Sequence, residues 1–188
     1  DEAKAHNLVY RDQIYYTGKS GEYPESLETR RKTKYGIDLL LRPVKFSDEP
    51  LLKEFKYSLS ERSIYTRFVT VKKELPHEEL QKLVVIDYQR QMAIMAVERK
   101  GERERVIGIA RYYLEDTDYV NFSIAVSDEW QGQGIGTMLL DYMISIALGK
   151  GFTGFTVDVL LENKPMIYLC RHAERAGHVI RKRIEGEM

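Results

Sequence analysis

Cysteine is almost absent from this chain of 188 residues, where Cys170 stands alone. A lone thiol excludes a disulfide framework and fits a reducing, cytoplasmic setting. Neither sign of charge is in excess, with 29 basic and 29 acidic residues. Composition therefore favours neither nucleic acid nor a membrane surface as a partner. No apolar run approaches the ~18 residues of a membrane-spanning helix. The first residues, Asp1-Glu2-Ala3-Lys4, lack the apolar core of a signal peptide. The four histidines, His6, His77, His172 and His178, show no metal-ligand spacing, so no metal site is expected. The chain does not begin with Met, and the expectation is a domain excised from a longer protein. Residues 1–35 read as an extension or linker and 36–188 as the folded domain. The basic run Arg30-Arg31-Lys32-Thr33-Lys34 has no sustained period and reads most simply as solvated linker, with a nucleic-acid role the weaker reading, and residues 1–34 are expected to lie outside the cofactor site.

What the chain does have is glycine where a strand meets a helix. Val120, Phe122, Ile124 and Val126 alternate with Asn121, Ser123 and Ala125, which is the period of a strand with two different faces. Ile135, Met138, Leu139, Tyr142, Met143, Ile146 and Ala147 then recur at helical spacing. Between them lies Gln131-Gly132-Gln133-Gly134-Ile135-Gly136-Thr137. A helix N-terminus offers unpaired N–H groups and the positive end of a dipole, and glycine lets a ligand approach them. Such a turn predicts a site for pyrophosphate or another anion. Gly136 is followed by Thr137 and Met138, so the loop lacks the Lys-Ser/Thr of a Walker A motif. Gly132-x-Gly134-x-Gly136 is also not the Gly-x-Gly-x-x-Gly of a dinucleotide fold.

The rest of the chain reads as alternating elements. Ile37 to Leu41 is a short strand, and Ser47-Asp48-Glu49-Pro50 starts a helix with an N-cap candidate and an early proline. A second helix runs from about Pro76 to Val84. Gln91 to Glu98 and Val106 to Leu114 form a hairpin around the charged turn 99–104. Phe155 to Leu160 is a strand, Asn163 caps a helix with Met166, Leu169, Cys170 and Ala173 buried, and His178 to Glu185 is a last strand. Tyr168, four residues from His172 on the other helical face, reads as one of a surface pair.

The spelling Gln131-x-x-Gly134-x-Gly136, between that strand and that helix, resembles the acyl-CoA pyrophosphate loop of the GNAT superfamily of N-acetyltransferases. The resemblance covers roughly Ile37 to Ile184. It implies an α/β (α+β) fold: a mixed, mostly antiparallel sheet flanked by helices, with a splayed parallel strand pair holding the pantetheine arm. It also implies one further strand after Glu185, where this chain has only Gly186-Glu187-Met188. Leu59-Ser60-Glu61-Arg62-Ser63-Ile64-Tyr65-Thr66-Arg67-Phe68, and Arg42-Pro43 followed by Ser47-Asp48-Glu49-Pro50, are similar to the Pat-type protein lysine acetyltransferases and their relatives fused to acetyl-CoA hydrolase/transferase domains.

That resemblance implies acetyl-CoA as acyl donor, an amine as acceptor, and a fused acyl-CoA-metabolising domain as partner. The cofactor would be held by residues 131–137, by backbone around Ile124, Ala125 and Val126, and by Asn163 and Met166. Pat-like enzymes carry a glutamate as general base where this chain has Asn121, and an amide takes no proton at neutral pH. Glu115, Asp116 and Asp118 precede the strand, and Glu115 is the catalytic candidate beside Asn121. Many relatives place a tyrosine seven residues after the helix asparagine. Here that position is Cys170, which reads as a core residue. Three readings stay open: a protein lysine acetyltransferase, a small-molecule amine acetyltransferase, and an acetyl-CoA-sensing domain without catalysis.

Overall fold

The structure is a computed structural model that describes residues 20–63 and 76–185. Among the described residues, seven strands lie side by side in chain order in one sheet. They are β1 (Thr29–Lys32), β2 (Asp38–Pro43), β3 (Gln91–Lys100), β4 (Arg103–Asp116), β5 (Tyr119–Val126), β6 (Gly154–Leu160) and β7 (Ile180–Glu185). Four helices that lie wholly within the described residues accompany them: α1 (Glu49–Ser58), α2 (His77–Val84), α3 (Ile135–Gly149) and α4 (Lys164–Arg175). Neighbours from β1 to β5 are antiparallel, whereas β5–β6 and β6–β7 are parallel. This is the mixed, helix-flanked sheet that the resemblance implies.

Strand alternation decides which helix goes where. Gly108, Ala110 and Tyr112 of β4 stand opposite Val126, Ile124 and Phe122 of β5, and this apolar face takes α3. Gly108 has a packing reason: a Cβ there would lie 3.1 Å from Leu139 Cδ1 and 3.3 Å from Ile135 Cγ2. Leu140 and Ile144 of α3 are buried as well, beyond the stripe expected from its sequence, because α4 packs on α3 from the side. Arg111 points to the opposite face, where its guanidinium donates to Leu83 O of α2 at 2.9 Å. The two faces therefore carry different helices and different chemistry.

The start of α1 differs from its expected cap. Asp48 precedes the helix, yet its side chain makes no bond to the first turn. It is buried and accepts from Arg42 at 2.7 and 2.8 Å and from Lys45 N at 2.6 Å. The pairing of Arg42-Pro43 with Ser47-Asp48 in the sequence is thus a buried bidentate ion pair that folds the β2–α1 connection.

The basic run needs a larger correction. Thr29–Lys32 is an edge strand paired with β2 from Thr29↔Leu41 to Lys32↔Asp38. It escapes a hydrophobic reading because its last three residues are exposed and charged. Upstream, the Tyr142 hydroxyl donates to Leu27 O at 2.5 Å and Gly21 N donates to Ile86 O at 2.8 Å. Residues 20–34 are packed onto the domain. Residues 1–19, 64–68 of the quoted signature, and 186–188 lie outside the described residues.

Candidate active site

β5 delivers the chain into the glycine loop. Ser127 N still bonds to Ile107 O at 2.8 Å, and one 3-10 turn, Asp128–Trp130, then reverses direction. Gly132 and Gly134 take φ of +75° and +83°, a conformation that L side chains adopt rarely. Gly134 is the N-cap of α3 and brings no side chain to the first N–H groups of the helix. Those donors and the helix dipole face outward from the loop.

The loop is tied to the segment that carries the branch signature. Ser60 caps a helical turn by accepting from Ser63 N at 3.1 Å. Asp128 accepts from Ser60 N at 3.0 Å and from Ser63 Oγ at 3.2 Å. Partial burial pushes the Asp128 carboxyl up, but the bonds from Ser60 and Ser63 outweigh it and hold the carboxyl below the usual aspartate range. Its contribution is therefore present above that range and is lost as pH falls through the lowered value. Gln131 donates to Val126 O at 3.0 Å and to Ser63 Oγ at 3.3 Å, closing the same junction.

β5 and β6 pair only at Tyr119↔Gly154, Val120↔Phe155 and Asn121↔Thr156, and beyond that rung they splay. The gap opens into a cavity of about 710 Å³. Ile124, Ala125, Val126, Gln131, Gly132, Gly134, Ile135, Gly136, Thr137, Asn163 and Met166 all line it. Gln133 does not line it; its amide turns back to Glu129 O at 3.3 Å. Asn163 earns its place structurally, accepting from Met166 N at 3.2 Å as the cap of α4.

Ala125 differs from Ile124 and Val126 in its backbone. Successive residues of a strand point their N–H and C=O groups to opposite edges. Ser127 N bonds toward β4, and a Cβ on Gly108 of β4 would meet Ala125 O at 3.4 Å. Ala125 therefore turns its backbone into the β4 ladder. Val126 O faces the loop, so Val126 and Ile124 turn theirs toward the gap. Of the three amides, those two open on the gap.

The two catalytic candidates sit together, on the sheet face opposite α3. Glu115 is the extra residue of a β-bulge between Leu114 and Asp116, a device that re-aims a side chain. Its carboxylate accepts from the Thr156 hydroxyl and pairs with Arg183 at 2.5 Å. Asn121 is buried and donates to Thr156 Oγ1 at 3.0 Å and to Asp158 Oδ2 at 2.9 Å. Arg183 also holds Asp158 through bonds of 2.7 and 3.1 Å. Glu115, Asn121, Thr156, Asp158 and Arg183 thus form one polar cluster across four strands at the last β5–β6 rung. Asn121 lies three residues, about 10 Å at ~3.3 Å per residue, from Ile124 at the cavity wall. Asp116 ends β4 and accepts from Thr117 N, and Asp118 lies in the turn, its O accepting from Thr153 N.

Thr156, Asp158 and Arg183 have no local signal in the sequence, because only the pairing of β5, β6 and β7 brings them together. Lys34, Arg62 and Tyr168 also line the cavity. The expected Tyr168–His172 pair is absent: His172 bonds Asp141 at 3.0 Å, and Tyr168 stands exposed at the cavity rim. Cys170 is fully buried, and burial pushes its thiol up to about 11. It is expected to resist alkylation in the native protein at pH 8 and to label fully once the chain is unfolded. Rapid native labelling, followed by mass spectrometry, would place it outside the core.

A model described as the acetyltransferase (GNAT) family matches residues 60–173. Acetyltransferase PA5475 of Pseudomonas aeruginosa is 30% identical over 137 residues, 72% of this chain and 73% of that protein. The GNAT domain of S. lividans PAT superposes with a TM-score of 0.73 at 25% identity, over 81% of this chain and 89% of that one. The spermidine N-acetyltransferase of Vibrio cholerae, in complex with CoA and spermine, shares the fold at a TM-score of 0.56 and 15% identity, over 71% and 78%. A glycine loop at a helix N-terminus, a splayed parallel pair and these likenesses converge: the chain belongs to the acetyltransferase (GNAT) family, whose acyl donor is acetyl-CoA.

Proposed function

We propose that this domain transfers the acetyl group of acetyl-CoA to the side-chain amine of a protein lysine. The pyrophosphate lies over residues 131–137, and the pantetheine arm enters between β5 and β6. The thioester carbonyl meets the amides of Ile124 and Val126, which stabilise the oxyanion as it forms. The amine nitrogen attacks the carbonyl carbon, a C–N bond forms, and the C–S bond breaks with the electron pair leaving on sulfur. The proton of the ammonium passes to Glu115, directly or through one water, and CoA departs as the thiol after taking up a proton. Most of the rate comes from holding the two reactants together.

The observation that carries this reading is the cluster at the splay. It gathers two carboxylates, Glu115 and Asp158, around Arg183 at the last β5–β6 rung, and this supports a proton acceptor on that side of the splay. The likeness to the S. lividans PAT domain and the signature segment 59–68 support a protein lysine as acceptor. The resemblance carried by segment 59–68 also points to a fused acyl-CoA-metabolising enzyme as its target or regulator. Asn121 in place of the expected glutamate favours a second reading, an acetyl-CoA-sensing domain without transfer. A small amine as acceptor rests on a likeness of fold alone.

Thiol release from acetyl-CoA separates the three. A lysine-containing protein or peptide should accelerate release over the rate without acceptor. Acceleration by spermidine and not by peptides would turn the reading to a small amine. Tight binding with no release for any acceptor would leave the sensing role.

A further inference from the structure

The turn between β1 and β2 belongs to neither the glycine loop nor the polar cluster at the last β5–β6 rung, yet it reaches the cavity. Its centre is Thr33, which is buried. Thr33 N donates to Ile37 O at 2.9 Å, its Oγ1 accepts from Tyr35 N at 3.3 Å and from Ile37 N at 3.2 Å, and Gly36 N returns to Thr33 O at 2.9 Å. Gly36 has φ of +81°, which a tight reversal of this kind requires. The turn is therefore held from inside, and it fixes where Lys34 projects.

Lys34 projects onto the glycine loop. A Cβ on Gly134 would lie 3.6 Å from Lys34 Cγ and 3.8 Å from Lys34 Cε, so the lysine stem runs along the N-cap of α3. Its ammonium sits 5.2 Å from the centre of the Tyr35 ring, which steadies a cation without neutralising it. No carboxylate among the described residues pairs with Lys34 or with Arg62, and both line the cavity. Asp128, an acid on the same wall, is taken up by Ser60 and Ser63. Lys34 and Arg62 thus line the cavity onto which the N-terminus of α3 opens, and Glu162, the other acid of its lining, pairs with neither of them among the described residues.

We infer that β1 is a strap that completes the cofactor pocket, and that Lys34 binds a phosphate of the acyl-CoA. The inference rests on the acetyl-CoA reading of the cavity and adds a residue from outside the glycine loop to it. The stem contact at Gly134 places the ammonium on the pyrophosphate side. A flexible ammonium can also reach a 3′-phosphate, and the two share one chemistry. Lys34 is solvent-exposed and carries no ion pair among the described residues, so its replacement should leave the melting temperature unchanged.

The test is calorimetric titration of the whole chain with acetyl-CoA and with 3′-dephospho-acetyl-CoA. Lys34→Ala should weaken acetyl-CoA about tenfold and Lys34→Glu about a hundredfold, as expected for losing and then reversing one charge-assisted phosphate contact. Lys34→Arg should stay within about threefold of the natural chain. Loss with both ligands assigns the contact to the pyrophosphate. Loss with acetyl-CoA alone assigns it to the 3′-phosphate. If the natural chain binds and the Ala and Glu variants stay within twofold of it on both ligands, Lys34 touches no phosphate and the inference is overturned. A natural chain that binds neither ligand would instead overturn the cofactor reading of the cavity, and the inference with it.

Discussion

Replacing Gly134 by aspartate should abolish acetyl-CoA binding and leave the domain folded. The two halves of that result have one cause. Gly134 is the N-cap of α3 with φ of +83°, and aspartate is among the side chains that tolerate this conformation best. Its Cβ would meet the flexible Lys34 stem at 3.6 Å and Thr33 Cβ at 4.0 Å, both ordinary contact distances. A carboxylate at a helix N-cap accepts the first N–H groups and favours the positive end of the dipole, so the helix gains what the glycine cannot give. Those are the same donors that the pyrophosphate needs. The ligand loses them and meets a like charge as well. A loss of at least a hundredfold, or roughly 2.7 kcal/mol, is expected. Gly136→Asp is the less clean variant. Its Cβ would lie 3.4 Å from Leu169 Cδ1 and 3.9 Å from Val126 Cγ2, so it puts a charge against apolar side chains. Gly134→Asn, which caps without charge, should fall between. Unchanged affinity in a Gly134→Asp protein with a normal melting temperature would remove the glycine loop from the site.

The elements that carry this argument are legible in the sequence because each has one strong period. β5 alternates, and α4 repeats Met166, Leu169, Cys170 and Ala173, all of which are buried. The glycine loop is legible because backbone chemistry at a helix start is local. β1 is not legible. Its register with β2 uses backbone bonds, and its exposed side chains leave no apolar signature. Lys34 is hidden with it. The polar cluster at the last β5–β6 rung is hidden for a different reason. Glu115, Asn121, Thr156, Asp158 and Arg183 come from four strands, and a bulge at Glu115 shifts its direction in a way that alternation does not foretell. Asn121 alone reads as a missing base. In the structure it is a donor that orients Asp158 and Thr156, and a carboxylate stands within the same cluster.

That difference sets the second large effect. Glu115→Gln should lower the transfer rate by ~10²–10⁴-fold, the range for loss of a positioned general base, with acetyl-CoA affinity unchanged. Glu115 is chosen over Asp158 because Asp158 accepts three hydrogen bonds, one from Asn121 and two from Arg183. Glutamine keeps the shape and can still bond Thr156, so loss of rate without loss of stability separates chemistry from architecture. In the natural background Asn121→Glu should give no large gain. It would set a second carboxylate at hydrogen-bond distance from Asp158, and two like charges so close favour one of them taking a proton. In the Glu115→Gln background the same substitution should restore the rate to within about tenfold, because the cluster regains a carboxylate at the same rung. The pH dependence gives the independent readout: the limb reporting the base should vanish in Glu115→Gln and return in the double variant. A Glu115→Gln protein with the natural rate and pH profile would sink the assignment. It would leave desolvation of the incoming lysine, which favours its neutral form, as the means of removing the proton.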